Sequence, residues 1–315
     1  MVPMILKRLG LGIFTLWLVS ILVFTGTELL PGDVAQAILG QSATPETVAG
    51  LRSQLGLDRP AHVRYISWLE GFATGNLGIS LAGQVPISGL IREHLGHTLL
   101  LASVTASIAV PVALLLGLFS AMFPGGIFDR TVSLLTLCLI SIPVFLSSSI
   151  LVLIFAVYLR WLPAITYITE YRSIGQLLSS LAMPIATLSF GITAQMARMT
   201  RATVLNIVDS SYIEMALLKG VSRMRIIFRH ASVNVVGPVA NVVALNLAFL
   251  IGGVVIVETI FAYPGLAKLM VDAVSSRDYP VVQSCAMVFC TAYVVLMLIA
   301  DIAAIVFNPK LWHPR

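Results

Sequence analysis

The sequence predicts an all-α, polytopic membrane protein, and three observations predict it. Apolar residues make up 58% of the 315, charged residues only 10%, and the mean hydropathy is +0.98. Apolar surface on that scale exceeds what a water-soluble core buries and must face lipid. The apolar residues also fall into six runs, 9–30, 98–123, 132–159, 178–199, 235–261 and 281–307. Each run meets the requirement of about 20 mostly apolar residues for a transmembrane helix. Finally, hydrocarbon cannot satisfy stray backbone groups, so only helices or closed barrels cross it, and runs this long select six transmembrane helices.

The first run follows Lys7 and Arg8, as the apolar part of a signal peptide would. It outruns the roughly 7 to 15 residues of such a segment, and no small-x-small cleavage site precedes Pro31-Gly32-Asp33, so it reads as an uncleaved first span. Residues 31–97 carry mixed charge, glycine and proline, and include "HVRYISWLEGF" (62–72), where Val63, Ile66, Leu69 and Phe72 recur at helical spacing. This segment reads as a small folded cap rather than a linker. The loops at 124–131 and 160–177 are short. Pro143, Pro184 and Pro238 are expected to kink their helices where neighbours re-satisfy the freed carbonyls. Ser147, Ser148, Ser149, Ser179, Ser180, Thr187, Ser189, Thr193 and Gln195 suit interhelical contacts or a wetted path, ordinary helix packing being the commoner role. Gly252-Gly253 suits close approach of two helices.

The longest connection after the cap is 200–234, and it holds "EMALLKGVSRMRIIFRH" (214–230), with Lys219, Arg223, Arg225 and Arg229 in an otherwise apolar chain. Ser211-Tyr212-Ile213-Glu214 fits a capping box, in which the serine oxygen accepts from the third helical N–H and the glutamate reaches back to the serine N–H. A helix is therefore expected from Ser211. Gly220 ends it, because glycine takes the left-handed conformation without penalty, and Ser222 caps a second, basic helix running through Arg229. Ile213, Ala216, Leu217 and Val221 form one apolar stripe. A basic interfacial helix on anionic lipid is the simpler reading of the charge alone. The glycine break between two capped turns favours a surface element shaped to dock.

Basic residues near the span ends set the expected orientation. With the N-terminus cytoplasmic, that side carries Lys7, Arg8, Arg130, Arg198, Arg201, Lys219, Arg223, Arg225, Arg229, Lys310 and Arg315. The other side has Arg92, Arg160, Arg172, Lys268 and Arg277 near span ends, while Arg52, Arg59 and Arg64 lie mid-loop and count little. Both termini are expected inside. Two acidic residues, Glu258 and Asp301, fall near span ends, where local pairing is the expected role.

Other chemistry finds little support. Cys138, Cys285 and Cys290 all lie within spans, which indicates neither a disulfide nor a metal cluster. His94 and His97 share a helix face but lack an HExxH pattern or a third ligand, so no metal site is expected. No Gly-Lys dipeptide occurs, so no P-loop can be drawn. The basic loop lacks the interleaved aromatics of a nucleic-acid site.

"YIEMALLKGVSRMRIIFRHASVN" resembles the cytoplasmic signature of importer permeases of the ATP-binding cassette superfamily, a Glu-Ala-Ala motif followed by a glycine. Glu214, Ala216 and Gly220 match it, and Met215 replaces the first alanine. "LLPGD" (29–33), "LRSQLGLDRPAHVRYISWL" (51–69), "GNLGISL" (75–81), "GGVVIVETIFAYPGLAKLMVDAVSSRDYPVVQ" (252–283) and "NPKLW" (308–312) narrow the likeness to the dipeptide, oligopeptide and nickel-type permeases. It spans nearly the whole chain.

That resemblance implies a non-enzymatic permease subunit, half of a translocation pathway for peptides or similar small solutes in a bacterial inner membrane. The chain would bind no cofactor; ATP and magnesium would be held by two separate ATPase subunits. The other implied partners are a second, related but distinct permease, a periplasmic solute-binding protein and membrane lipid. Residues 211–220 would be the coupling helix docked on an ATPase, with Ser211, Tyr212, Glu214, Ala216, Lys219, Gly220 and Ser222 at the contact. The domains would be 1–30 (cytoplasmic N-terminus and first span), 31–97 (periplasmic cap) and 98–315 (core with five spans, coupling loop 200–234 and external re-entrant loop 261–280). Glu258, just before that loop, and Pro264, Gly265 and Asp278 within it match the family pattern near the gate. Nickel chelates, opines, glutathione and oligosaccharides use similar permeases, and selection resides largely in the binding protein. The rival class is an ion-driven secondary transporter, which would place ionisable groups near the membrane midplane and show internal repeats; an intramembrane hydrolase would need a serine–histidine or paired-aspartate arrangement within the spans.

Overall fold

In the computed structural model, residues 2–29, 34–54, 56–166, 174–208, 215 and 232–307 are described. Helix α1 spans Val2–Glu28, α2 Val34–Leu39, α3 Pro45–Gln54 and α4 Ala61–Thr74. Then come α5 (Ile87–Met122), α6 (Ile127–Ser141) and α7 (Val144–Leu151), which continues as a π-helical stretch, Val152–Tyr158. The chain closes with α8 (Ile174–Val208), α9 (Ser232–Ile260), α10 (Leu266–Ser275) and α11 (Tyr279–Phe307). Among the described residues the one β feature is an isolated bridge between Ile79 and Pro86.

Helices α1, α5, α8, α9 and α11 are each long and apolar enough to cross a membrane. The run 132–159 is different. It is not one straight helix but two segments, Ile127–Ser141 and Val144–Tyr158, bent by 98°. Pro143 causes the break: proline excludes the helical region for the residue before it, and Ile142 is extended (φ −89°, ψ 119°). The Pro143 carbonyl then starts α7 by accepting from Leu146 and Ser147 N–H at 3.0 and 3.1 Å. Pro184 and Pro238, by contrast, lie inside continuous helices. The serines of α7 do not reach across to other helices: Ser147 and Ser148 donate to the Val144 carbonyl and Ser149 to that of Phe145. This return to the helix's own backbone is the usual outlet for a hydroxyl in an apolar helix.

Two compact units divide the chain. One comprises 1–10, 99–263 and 293–315; the other comprises 11–98 and 264–292. In the first, α8 and α9 form the core, where Leu181, Met183, Leu188, Leu250, Val254 and Val257 are buried together with Leu101 of α5. Gly253 serves the close approach expected of it, since a Cβ there would meet Leu188 Cδ2 at 3.3 Å. Large apolar side chains also stand exposed on this unit, among them Leu134, Leu135 and Leu137 of α6, as lipid-facing surface requires. Arg8 Nη1 donates to Asp301 Oδ2 at 2.7 Å, so the start of α1 and the end of α11 lie at the same end of the unit. Asp301 is thus locally paired, as expected.

In the second unit, α4 packs on α1 through aromatic rings, Phe24 against Tyr65 (5.4 Å between centroids) and Trp68 (6.0 Å). Ser20 and Tyr65 share a hydrogen bond, and Arg64 pairs with Glu28. The apolar stripe expected on α4 is therefore rotated. Leu69 and Phe72 are half-buried, but Val63 and Ile66 are exposed at 38% and 60%, while Tyr65 and Trp68 turn inward. Aromatic area outweighs the smaller aliphatic side chains. Ile87, Ile91, Leu266, Ala273, Val281 and Cys285 form this unit's apolar core. Helix α5 begins at Ile87, well before the apolar run at 98, so 87–97 is a helical extension of the second span.

Candidate functional site

Of the residues expected to contact an ATPase, Ser211, Tyr212, Glu214, Ala216, Lys219, Gly220 and Ser222 lie outside the described residues. Within that stretch Met215 is helical and exposed.

The four residues of the expected gate fall on both units. Glu258 is fully buried near the end of α9, and its carbonyl accepts from Tyr263 N–H at 2.9 Å, closing the helix. Phe261 O next accepts from Thr166 N–H at 3.0 Å, and Thr166 Oγ1 donates to Ser180 O, which pins the loop before α8 to the end of α9. In the other unit Gly265 caps α10 in an extended conformation, and Pro264 O lies 2.9 Å from His97 Nδ1. Leu266 N–H, orphaned at the start of α10, donates to Thr98 Oγ1 at 2.8 Å. Segment 261–280 is accordingly a short helix between two pinned turns. Asp278, only 3% exposed, accepts at Oδ2 from Ser80 Oγ and from Ala82 N–H. Ser80 Oγ in turn accepts from Gly83 N–H at 2.9 Å. One carboxylate thus joins the tight turn 80–85 to the start of α11.

An open groove of about 370 Å³ lies in the first unit between the α6–α7 bend, α8 and α9. Its walls are Leu139, Ile140, Ile142, Val144, Leu188, Ile192, Phe249 and Leu250, with Gly191 and Gly253 opening the space. Three polar side chains reach it, Thr187, Gln195 and Asn246, and no charged residue lines it among the described residues. Thr187 Oγ1 donates to Met183 O at 2.9 Å and Asn246 Nδ2 to Val242 O at 2.8 Å, so each is anchored on its own helix. Both are buried, so the exposed Gln195 amide is the polar side chain most open to the groove. The sequence singled out Thr187 and Gln195 as suited to a wetted path but missed Asn246, an amide inside an apolar run. It also missed Gly191, where a Cβ would meet nothing within 4 Å.

Arg201, counted from sequence among the cytoplasmic positive charges, is held in a bidentate pair. Its Nε and Nη2 donate to Asp129 Oδ1 and Oδ2 at 2.5 and 2.7 Å. Asp129 sits in the first turn of α6, 3% exposed.

Two family models cover the chain. Residues 1–107 match the N-terminal model of binding-protein-dependent transport system membrane components, and residues 113–313 match the binding-protein-dependent transport system inner membrane component. Among curated proteins, a probable peptide ABC transporter permease, y4tP of Sinorhizobium fredii, is 34% identical over 307 residues, 98% of each chain. A putative peptide transport system permease of Brucella suis biovar 1 is 36% identical over 313 residues, 99% of this chain and 100% of its own. The glutathione transport system permease GsiC of Salmonella choleraesuis is 34% identical over 311 residues, 99% of each. The chain belongs to the binding-protein-dependent transport system inner membrane component family and is a permease subunit of an ATP-binding cassette importer.

Proposed function

We propose that this chain forms one half of a membrane path for peptides or similar small solutes, glutathione included, and that separate ATPases drive it through residues 211–220. The observation that carries the path is the uncharged groove walled by three membrane elements and floored with two amides and a hydroxyl. A peptide backbone presents donors and acceptors to which the exposed Gln195 amide can bond, and the apolar walls accept varied side chains. The second half of the path comes from a related but distinct permease. Both termini face the cytoplasm, and the segment 31–97 faces outward, where the solute-binding protein docks. ATP and magnesium stay with the partner ATPases, and this chain performs no chemistry of its own.

Gly191 gives the direct test. Gly191→Phe places a ring in the groove without a clash at its first carbon. Uptake by the reconstituted importer is expected to fall roughly 10-fold or more while the complex still assembles. Wild-type uptake in this variant would remove the groove from the path.

The coupling assignment has its own test. ATP binding moves the spans only if the docked helix interacts differently with the two ATPase states. Gly220→Trp and Glu214→Lys are expected to leave the chain in the membrane but to disconnect uptake from ATP hydrolysis, by roughly 10-fold in the solute moved per ATP. Coupling at the wild-type level in both variants, read from uptake and substrate-stimulated ATPase in proteoliposomes, rejects the assignment.

A further inference from the structure

The Asp129–Arg201 pair joins α6 and α8 through residues 72 positions apart in sequence. Arg201 lies in the last turns of α8, shortly before Val208 and the segment proposed to dock on an ATPase. Asp129 lies in the first turn of α6, where the helix N-terminus favours a carboxylate. Gly125 N–H adds a third bond to Asp129 Oδ2 at 2.8 Å, so the tight turn from α5 into α6 closes on the same carboxylate. On the neighbouring stretch of α8, α5 approaches so closely that a Cβ on Gly117 would stand 2.7 Å from Ala197 O and 2.7 Å from Thr200 Cβ. The end of α8 is thereby gripped by α5 through backbone contact and by α6 through an ionic fork.

Stability alone does not explain such a fork. A buried ion pair is commonly replaceable by apolar side chains without loss of stability. What the fork adds is geometry: two parallel N–H···O bonds fix both height and rotation, where apolar side chains slide past one another. The far end of α6 then matters, because Leu139 and Ile140 of α6, with Ile142 at the bend, are groove walls. We propose that Asp129 and Arg201 are positioning residues that oblige α6 to follow the last turns of α8, so that displacement of 211–220 is delivered to the groove wall at the α6–α7 bend. The inference rests on the coupling reading of 211–220.

The experiment uses the whole importer, this chain with its second permease, ATPases and binding protein, reconstituted in liposomes and supplied with the binding protein's solute. Uptake and ATP hydrolysis are measured together for Asp129→Asn, Arg201→Lys, and the charge-swapped pair Asp129→Arg with Arg201→Asp. Asp129→Asn keeps shape and loses charge; Arg201→Lys keeps charge and loses the fork. Each is expected to raise the ATP consumed per solute roughly 10-fold, within the usual range of coupling between sites, with the ATPases still copurifying. The swapped pair is expected to recover part of the loss, since an arginine in the first turn of α6 opposes the helix dipole. A merely structural pair would lower uptake and hydrolysis in proportion to the folded complex and leave their ratio unchanged, and that result overturns the proposal. So does a wild-type ratio in both single variants. If Asp129→Asn does not accumulate, Arg201→Lys and the swapped pair decide by the same ratio. Wild-type coupling in Gly220→Trp and Glu214→Lys rejects the coupling reading itself and this inference with it, whereas uncoupling there with normal ratios for the fork variants rejects the latch alone.

Discussion

Gly117→Val is expected to lower the unfolding midpoint of the protein markedly and to reduce its yield from the membrane. The Cβ alone would stand 2.7 Å from the carbonyl oxygen of Ala197 and 2.7 Å from Thr200 Cβ, distances that real Cβ atoms do not adopt. One of the two obstacles is backbone inside α8, so relief requires α5 and α8 to part rather than a side chain to rotate. Overpacking of a well-filled core typically costs about 1–3 kcal/mol, and separation of two helices that also expose Ala113 and Ala197, both now buried, adds to it. A total of about 3 kcal/mol is a large share of the stability of an ordinary domain. The midpoint of thermal unfolding in detergent and the amount of membrane-extracted chain measure it. Gly117→Ala is expected to show a smaller loss in the same direction. Normal yield and an unchanged midpoint for the valine variant would show that α5 and α8 do not meet at this position.

Asp278→Ala is the second large effect. It strips the acceptor from Ser80 Oγ and from Ala82 N–H at a site that is 3% exposed. An orphaned buried donor costs about 1–3 kcal/mol, and more where its partner was charged. The turn at 80–85, which otherwise relies on Ser80 N–H to Val85 O and Gln84 N–H to Ser80 O, is expected to open and become sensitive to limited proteolysis. Asp278→Asn keeps an acceptor oxygen and is expected to lose less. The pair of variants also separates scaffold from gate. If Asp278 moves during transport, the asparagine variant changes uptake with no shift in unfolding midpoint; if it only holds the turn to α11, uptake follows stability.

The all-α membrane fold and the short helices of 45–74 were legible because each rests on local composition. Six apolar runs of sufficient length are visible one window at a time, and the helices at 45–54 and 61–74 need only their own residues. The family likeness was legible for the same reason, being carried by contiguous motifs. What escaped was nonlocal. Pro143 announced a kink, but a 98° turn depends on what receives α7 after the break. The stripe on α4 was read from aliphatic spacing, and the orientation was decided by Phe24, some forty residues earlier. Arg201 looked like one more inward-facing charge because its partner, Asp129, belongs to another helix. Asn246 could have been found: a lone amide in an apolar run is expensive in lipid and asks what it faces. Glu258 shows the reverse, a residue the sequence did mark and the structure buries completely.

The Arg8–Asp301 contact has a practical corollary for construction of the importer. Because the pair ties the start of α1 to the end of α11, paired cysteines in place of Arg8 and Asp301 would crosslink the first helix to the last, a mark that a gel can follow through assembly of the importer.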